Sequence, residues 1–335
     1  MDSRYLCLFA VPALFLASCG EEPVKPAEPV VPVEAKPEEP VVPVEAKPEE
    51  ASVPVEAKPK EAAPKPKEVA AVSKPAKPKA PVGPIFWSEV KLHEAVRGAN
   101  PGYTGNGQFQ IDEGGQVQAI ALDNCGVTDL SPFGGMRLMA LYLQGCDVAD
   151  ISVLEGMPIV ELYLESSAVK DLKPLVGMAT LKKLYLSNTD VADLSPLKGL
   201  GIVEMNLVDT KVTNLGPLDG MPLQMLWLTD SPVKDISALA HSPLVSLTLH
   251  RTSVMDLSPL SNTALQRLHI GETPVTDLSP LVGMGLTRLV FDPTQITAGI
   301  EGIKAMPSMQ QIGSKFEDGA NDLQAPAAFW PTQEG

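Results

Sequence analysis

The chain has 335 residues, a formal net charge of −15 and 33 prolines. An acidic balance of this size disfavours nucleic acid as a partner, because the phosphate backbone is itself negative. The charge is unevenly distributed: residues 20–82 hold 12 glutamates and 10 lysines and residues 1–19 are neutral, so residues 83–335 carry −13. We therefore expect an acidic folded part that follows a nearly neutral segment.

Residues 1–18 are predicted to be a secretory signal. Arg4 supplies a positive start, and the apolar run from Tyr5 to Ala17 is shorter than the ~20 residues that a membrane span requires. The run ends in Leu16-Ala17-Ser18-Cys19, which resembles the lipobox of bacterial lipoproteins. That resemblance implies cleavage before Cys19, diacylglycerol on its sulfur and anchoring of the acylated end in a lipid bilayer. The alternative is an ordinary signal peptide that contains a cysteine by chance.

The residue after the lipobox bears on location in the bacterial cell envelope. Position 20 is Gly and not the Asp that resembles an inner-membrane retention signal. We therefore expect a lipid anchor in the outer membrane. The face on which the folded part stands, periplasmic or external, stays open.

Residues 19–82 are predicted to be the lipidated Cys19 followed by a disordered tether. The segment consists almost entirely of Pro, Val, Ala, Glu and Lys, with an 11-residue unit that begins at Val30, Val41 and Ser52. Frequent proline blocks helix and sheet, so we expect extended, polyproline-like chain. At ~3.1 Å per residue, 63 residues reach at most ~195 Å. A spacer is the simplest interpretation, and binding to peptidoglycan or to a partner is the alternative.

A repeat of 21 residues, lengthened once to 22, runs through residues 116–297. Each unit contains an apolar residue, an outward residue and a second apolar residue, followed by a valine-type residue and a variant of Asp-Leu-Ser-Pro-Leu. The second apolar residue of the nine units is Leu122, Leu143, Leu164, Leu186, Leu207, Leu228, Leu249, Ile270 and Phe291. Self-similarity at a fixed period is the signature of a solenoid.

The pattern L-x-x-L-x-L-x-x-T-x-V-x-D-L-S-P-L resembles bacterial leucine-rich repeats, such as those of internalins and of many bacterial lipoproteins. This resemblance implies an α/β repeat fold, a right-handed leucine-rich-repeat solenoid with a parallel β-sheet on its concave side. The amino-acid order supports this fold independently of the resemblance, because alternation at Leu141-Tyr142-Leu143 points the leucines inward and the tyrosine outward. A unit of 21 residues with Ser-Pro-Leu leaves no room for a full helix on the convex side, where we expect short 3-10 turns.

The first and last repeats require caps, because terminal leucines would otherwise meet water. Residues 83–115 are the predicted N-terminal cap. Within it, Trp87 to Ala99 is predicted to be an amphipathic helix with Ser88 as N-cap, ended by Asn100-Pro101. Phe109 and Ile111 are predicted to lie on a covering strand.

Residues 298–335 are the predicted C-terminal cap and tail. The repeat motif fails there, since Ala298 replaces Asp and Gly299 replaces Leu. Ile296 to Met306 is predicted to be a closing helix, and Met309 with Ile312 to be on a last strand. The position of Phe329-Trp330, packed on this cap or free, is left open.

Two further ladders have two interpretations each. Aspartates recur at one repeat position, and stacked carboxylates suggest calcium; but one carboxylate per rung supplies too few oxygens, so we predict that each caps its own turn. These residues are Asp129, Asp150, Asp171, Asp193, Asp235, Asp256 and Asp277, with Asn214 between. Cys125 and Cys146 take the place of Thr or Ser on adjacent rungs and are either two buried thiols or a disulfide.

The outward residue of each predicted strand forms a column on the concave face. Its members are Ala121, Tyr142, Tyr163, Tyr185, Asn206, Trp227, Thr248, His269 and Val290. Aromatic residues exposed in a row are typical of binding surfaces. The predicted ligand-binding residues are Tyr142, Tyr163, Tyr185, Asn206, Trp227, Thr248 and His269, with Glu165 and Arg267 on the flanks. The alternative is that aromatic residues on adjacent strands merely stack and stiffen the sheet.

Two histidines on the same face, His250 and His269, lie near Glu272 and Asp292 on neighbouring rungs. A metal or acid–base site is an alternative there, but a diagonal spacing of ~8 Å is wide for one ion. We therefore expect no metal and no cofactor.

Catalysis is disfavoured, because the chain has no nucleophile elbow, no P-loop, no HExxH motif and no dinucleotide fingerprint. The predicted function is a membrane-anchored, monomeric recognition module that binds an unknown protein or glycan on its concave aromatic face. The alternative is an envelope scaffold or spacer without a specific ligand.

Overall fold

The computed structural model describes residues 86–317 and 320–330. The predicted signal, Cys19 and tether lie outside these residues. Within them, the fold is the predicted leucine-rich-repeat solenoid: an 11-stranded sheet on one side, a series of 3-10 turns on the other and helices at both ends. No helix of this part of the chain is long and apolar enough to span a membrane.

The elements follow the chain in the order of the repeats. The strands are β1 Gln108–Ile111, β2 Val117–Ala121, β3 Ala140–Tyr142, β4 Glu161–Tyr163, β5 Lys183–Tyr185, β6 Glu204–Asn206, β7 Met225–Trp227, β8 Ser246–Thr248, β9 Arg267–His269, β10 Arg288–Val290, β11 Gln311–Gly313, β12 Phe316–Glu317 and β13 Ala320–Asn321. The helices are α1 Glu89–Ala99, α2 Ile300–Lys304 and α3 Pro326–Phe329. The 3-10 turns are Ser131–Phe133, Ser152–Leu154, Lys173–Leu175, Ser195–Leu197, Gly216–Leu218, Ser237–Leu239, Ser258–Leu260 and Ser279–Leu281.

Strand pairing keeps every repeat in register. β1 pairs antiparallel with β2, and from β2 to β11 each strand pairs in parallel with the next. Because no residue is skipped, Leu141 lies against Leu162 and Tyr142 against Tyr163. The extra residue between Leu164 and Leu186 is absorbed outside the strands, since Tyr163 still aligns with Tyr185. The inward leucines therefore build one continuous buried core.

The eight predicted side-chain caps are confirmed. In each repeat the Asp or Asn side-chain oxygen accepts from the backbone N–H two residues later, at 2.7–3.0 Å. Asn214 makes the same bond to Gly216 N at 2.8 Å as the charged residues make. The ladder thus gives the backbone N–H group at the start of each 3-10 turn a hydrogen-bond acceptor.

A second ladder satisfies carbonyl groups inside the core. The hydroxyls of Thr189, Thr210, Ser231, Thr252 and Thr273 each donate to the carbonyl oxygen three residues earlier, at 2.6–2.8 Å. Cys125 and Cys146 occupy the same position as free, buried thiols. Sγ of Cys146 donates to the Leu122 carbonyl at 3.0 Å, and burial raises the pKa of the Cys125 thiol.

The N-terminal cap contains the predicted helix and covering strand, but α1 begins at Glu89 and not at Trp87, because Ser88 caps it; Asn100 joins this cap to the repeats. Ser88 caps α1 by accepting from Lys91 N, and Leu92 and Val96 bury the inner side of the helix. Asn100 is 1% exposed. Its side chain donates to the Asp129 carbonyl at 2.9 Å and accepts from Asp129 N at 2.8 Å. The residue that ends the helix therefore also fixes it to the first repeat.

The closing helix is shorter than predicted. α2 begins only at Ile300, because Ala298 still bridges Asp277 in parallel and Gly299 has a φ of 85°. The predicted start at Ile296 was wrong because strand-like pairing continues past the end of the motif. After β11, Gln324 exchanges two backbone hydrogen bonds with Ile312, both 2.8 Å.

The tail packs on the last repeat. The ring of Phe291 lies 6.1 Å from that of Phe329 and 6.2 Å from that of Trp330, centroid to centroid. Phe329 and Trp330 contact each other edge to face at 4.8 Å. These rings cover the C-terminal end of the leucine core.

In the first eight of the nine repeats, one position has a left-handed backbone that the repeat pattern did not predict. It lies two residues after the last inward leucine-type residue of the strand segment. The residues are Asn124, Gly145, Ser166, Asn188, Asp209, Asp230, Arg251 and Glu272, with φ between 49° and 67°. Gly and Asn adopt this region readily, whereas other side chains are strained there by roughly 1–2 kcal/mol.

The left-handed backbone at this position predicts that substitutions on two neighbouring rungs change the free energy of unfolding in opposite directions. Ser166→Gly should raise the free energy of unfolding by about 0.5–1 kcal/mol, because glycine removes the strain of a φ of 54° at an exposed residue. Gly145→Ala should lower it by about 1 kcal/mol or more, because a Cβ would also meet the Asn124 side chain. Thermal or denaturant unfolding measures both, with Ser152→Gly as a control at a negative φ.

Candidate ligand-binding face

The predicted column is present, and its aromatic members contact one another. Tyr142 and Tyr163 have ring centroids 4.7 Å apart, and Tyr163 and Tyr185 are stacked at 4.4 Å with an interplanar angle of 10°. Tyr185 contacts Trp227 at 6.0 Å across the rung of Asn206. We call these four rings, together with the outward residues that flank them on β2–β7 or stand two residues after them, the aromatic face. Tyr163 therefore has a ring on both sides, whereas Tyr142 has none among the described residues on the side of Ala121.

One flank of the aromatic face holds paired carboxylates. The Tyr142 hydroxyl donates to Glu161 Oε2 at 2.9 Å, and the Tyr185 hydroxyl donates to Glu204 Oε2 at 3.1 Å. Lys183 lies between the two glutamates and forms an ion pair with Glu161 at 3.2 Å. Every charged group on this flank thus has a partner within the protein.

Burial and these neighbours raise the pKa of all three tyrosines. Desolvation is the largest cause in each case, followed by the hydrogen bond to Glu161 for Tyr142 and by the charges of neighbouring groups for Tyr163 and Tyr185. The pKa of Tyr163 rises to about 12. All three phenols therefore stay neutral donors near neutral pH.

The other flank holds carboxylates without a cation. Asp123 accepts from Gln144 N at 2.8 Å, and Glu165 is half-buried two rungs further on. No lysine or arginine of the described residues forms an ion pair with either. Desolvation, followed by the charge of Asp123, raises the pKa of Glu165 to about 7. Desolvation also raises the pKa of Asp123. Glu165 was predicted from the sequence as a binding residue and Asp123 was not, although Asp123 stands two residues after Ala121 as Glu165 does after Tyr163.

The remaining predicted site residues lie on β8 and β9, where the surface is more buried and carries arginines in place of tyrosines. Thr248 is 5% exposed, which leaves little of it for a ligand. Arg267 is half-buried beside Arg288, which donates to Gln311 Oε1 at 2.8 Å. Burial and then the charge of Arg288 lower the pKa of His269 to about 4. This end of the face is cationic, whereas the aromatic end is acidic.

The histidine pair does not assemble a metal site. His250 lies 2.9 Å from Arg251 Nη1, and Arg251 binds Asp230 with two hydrogen bonds. Burial and then the charge of Arg251 lower the pKa of His250. Among the described residues, no group of three or more His, Cys, Asp and Glu side chains is placed to hold a metal ion.

The repeated strand, turn and stacked leucine core define the chain's described part as a leucine-rich-repeat domain, a fold used for protein interaction. Solved structures agree. Internalin InlF of Listeria monocytogenes is similar at 23% identity over 67% of this chain and 70% of its own, with a TM-score of 0.56. Internalin C2 of the same organism is similar at 26% identity over 60% of this chain and 92% of its own, with a TM-score of 0.51.

These similarities concern the fold. No protein-family model and no curated protein sequence matches the chain. The neighbours are internalin leucine-rich-repeat proteins, and nothing in the described residues shows catalysis.

The pKa of Glu165 predicts a pH-dependent stability. A carboxyl group whose pKa is higher in the folded than in the unfolded protein costs stability when it is ionised, fully above about pH 7 and not at all below its ordinary value of 4.5. Glu165→Gln should therefore stabilise the fold at pH 8 by about 1 kcal/mol, allowing for partial exposure, and have little effect at pH 4.5. Thermal unfolding of both proteins across this range measures the difference.

The matched control is Glu155→Gln, which removes an exposed carboxylate on the side of the 3-10 turns. It measures what the loss of one exposed carboxylate elsewhere does to the unfolding midpoint at the same two pH values. An equal shift for Glu165→Gln would contradict the prediction.

Proposed function

We propose that this protein is a lipid-anchored recognition module that binds a protein through its aromatic face. The observation that carries the proposal is the row of Tyr142, Tyr163, Tyr185 and Trp227 on the outer side of a rigid sheet. Large aromatic rings with hydrogen-bonding edges are enriched at the energetic centres of protein interfaces. A sheet whose strands are fixed by a continuous core presents them with little loss of conformational freedom on binding.

The stacking favours a protein over a glycan. A sugar ring stacks its apolar face on the open face of an aromatic ring, but the faces of Tyr163 and Tyr185 are covered at 4.4 Å. Ring edges and the carboxylates on both flanks remain for contact, and these suit the side chains and backbone groups of a polypeptide.

The anchor is part of the same proposal. Leu16-Ala17-Ser18-Cys19 supports acylation of Cys19, and the proline-rich residues that follow support a spacer between an outer membrane and the binding domain. The length of the spacer would let the aromatic face meet a partner away from the membrane.

Capture of a partner tests the aromatic face. Whole-cell cross-linking followed by purification of the full chain should recover a protein that is lost, at least about tenfold, when Tyr142, Tyr163, Tyr185 and Trp227 are all replaced by Ser. Asn206→Arg should have the same effect without removing a ring, because it places a bulky charge in the middle of the column.

Met255→Ala, at a residue 67% exposed outside the strands, is the control and should leave capture unchanged. Folding of each variant is checked by thermal unfolding. If well-folded face variants capture the same proteins as the control, the rings serve to stiffen the sheet and the scaffold alternative is correct.

Replacement of Cys19 tests the anchor. Cys19→Ser should abolish incorporation of radioactive palmitate and release the protein from the outer-membrane fraction, because the acylated residue is the proposed anchor. Cys7→Ser, within the same signal, is the control and should stay lipidated. Protease treatment of intact cells then shows on which side of the outer membrane the domain lies. Loss of the domain indicates the cell surface, and protection until the outer membrane is opened indicates the periplasm.

A further inference from the structure

The cationic end of the concave face holds two arginines that lie side by side. Arg267 on β9 pairs with Arg288 on β10, so that both side chains leave the same side of the sheet from backbones about 4.8 Å apart. Neither forms an ion pair with a carboxylate in the part of the chain that the structure describes. Like charges on neighbouring strands repel each other, so the free protein keeps this repulsion. We call these two residues the arginine pair.

The hydrogen bonds of the arginine pair leave most of its donors without an acceptor. Arg288 donates from Nε to Gln311 Oε1 at 2.8 Å. The side chain of Arg267 forms no hydrogen bond to another described residue, and its Nε is buried without an acceptor. A buried donor without an acceptor destabilises the protein, so an acceptor supplied here is favourable.

The carboxylates of the same rung and of the same column are too far away to neutralise the arginine pair. Asp292 lies four residues beyond Arg288, on the opposite flank, and accepts from the backbone and hydroxyl of Thr294. In the column of the arginines, the next carboxylate is that of Glu204 on β6, three rungs from Arg267 and therefore about 14 Å away. A carboxylate that neutralises the pair has to come from outside the described residues.

The neighbours of the arginine pair add hydrogen-bonding groups but no further charge. Ser246 lies before the pair on β8, and Gln311 lies after it on β11. Burial, followed by the charge of Arg288, lowers the pKa of His269 to about 4, so its imidazole is neutral near pH 7. Both arginines are half-buried, which strengthens their interaction with an anion relative to fully exposed side chains.

The arginine pair lies within reach of a polypeptide bound to the aromatic face. Trp227 on β7 is two rungs from Arg267 on β9, about 10 Å along the sheet. Roughly three extended residues span that distance. Because residues 83–335 carry −13, the domain as a whole repels anions, and a carboxylate is attracted only where positive charge is concentrated.

We propose that the arginine pair binds a carboxylate side chain of the partner protein, on an aspartate or glutamate about three residues from the segment that contacts Trp227. The guanidinium groups of Arg267 and Arg288 donate N–H groups to the two carboxylate oxygens, a geometry for which their planar forks are suited. The negative charge relieves the repulsion between the two arginines and gives Arg267 an acceptor. This inference rests on the proposed function and names the chemistry of its partner.

The test compares an acidic and a neutral peptide of the same size. The full chain in detergent is titrated by fluorescence anisotropy with the dye-labelled peptide amide Gly-Glu-Gly-Glu-Gly, and with the same peptide in which glutamine replaces glutamate. The glutamate peptide should bind at least about fivefold more tightly, although the net charge of the protein opposes it. Arg267→Gln and Arg288→Gln should each weaken the glutamate peptide about threefold to tenfold and leave the glutamine peptide unchanged.

Two further variants separate the arginine pair from positive charge in general. Arg288→Lys keeps the charge but loses the planar fork of donors, so it should weaken the glutamate peptide less than Arg288→Gln does. Arg137→Gln removes an exposed arginine from the segment between the first 3-10 turn and β3, and it should leave both peptides unchanged. Thermal unfolding confirms that each variant is folded.

Three results of the peptide titration would overturn the carboxylate site. The first is equal binding of the two peptides. The second is an unchanged preference for glutamate when Arg267 and Arg288 are both replaced by Gln. The third is displacement of the glutamate peptide by inorganic phosphate at about a tenth of the acetate concentration needed at equal ionic strength, which would indicate a phosphate group as the occupant.

The capture experiment distinguishes this inference from the proposed function. If the double arginine variant captured the cellular partner normally while Asn206→Arg did not, the aromatic face would stand and the arginine pair would be excluded from the interface. Loss of the partner in both variants, together with loss of the glutamate preference, supports both proposals. A glutamate preference that depends on the arginine pair, without any partner lost from the aromatic-face variants, supports the carboxylate site and contradicts the proposed function.

Discussion

The stacking of inward leucines between neighbouring rungs is the interaction on which the rest of this structure depends. A strand of three residues and a 3-10 turn cannot bury apolar side chains alone, and here Leu141, Leu162 and Leu184 are buried only because each lies on the next. The caps serve the same core: α1 covers one end, and Phe329 with Trp330 covers the other. In each repeat, backbone N–H groups donate hydrogen bonds to the Asp ladder and backbone carbonyl groups accept them from the Thr ladder.

The rung spacing that the core imposes also organises the outer side of the sheet. Because successive strands pair without a shift, any residue type that recurs in the repeat becomes a column. Tyr142, Tyr163 and Tyr185 stack for this reason, and glutamates one rung further on reach the hydroxyls of Tyr142 and Tyr185. The leucine core therefore sets the spacing between the side chains of the aromatic face.

The acidic residues of the solenoid have different structural roles along its length. Asp193 and its equivalents cap turns, Glu161 and Glu204 bind tyrosines, and Asp123 with Glu165 remains without a cation in the described residues. Towards β9 and β10 the sign changes, with Arg267 and Arg288 on adjacent strands. A partner bound to this face as proposed would meet acidic groups at one end and cationic groups at the other.

The amino-acid order was enough to predict the repeat length, the inward and outward positions, the 3-10 turns, the Asp caps and α1. Each of these depends on local periodicity or on a bond between residues two or three apart. The same periodicity placed Tyr142, Tyr163, Tyr185 and Trp227 in one column. It could not show that the four rings contact one another, or that Lys183 forms an ion pair with Glu161 while Glu165 forms none among the described residues. It also misplaced the start of α2, where Ala298 keeps a bridge to Asp277. These features depend on distances between residues about 20 positions apart and on which side chains meet across rungs, and only the packed solenoid sets both.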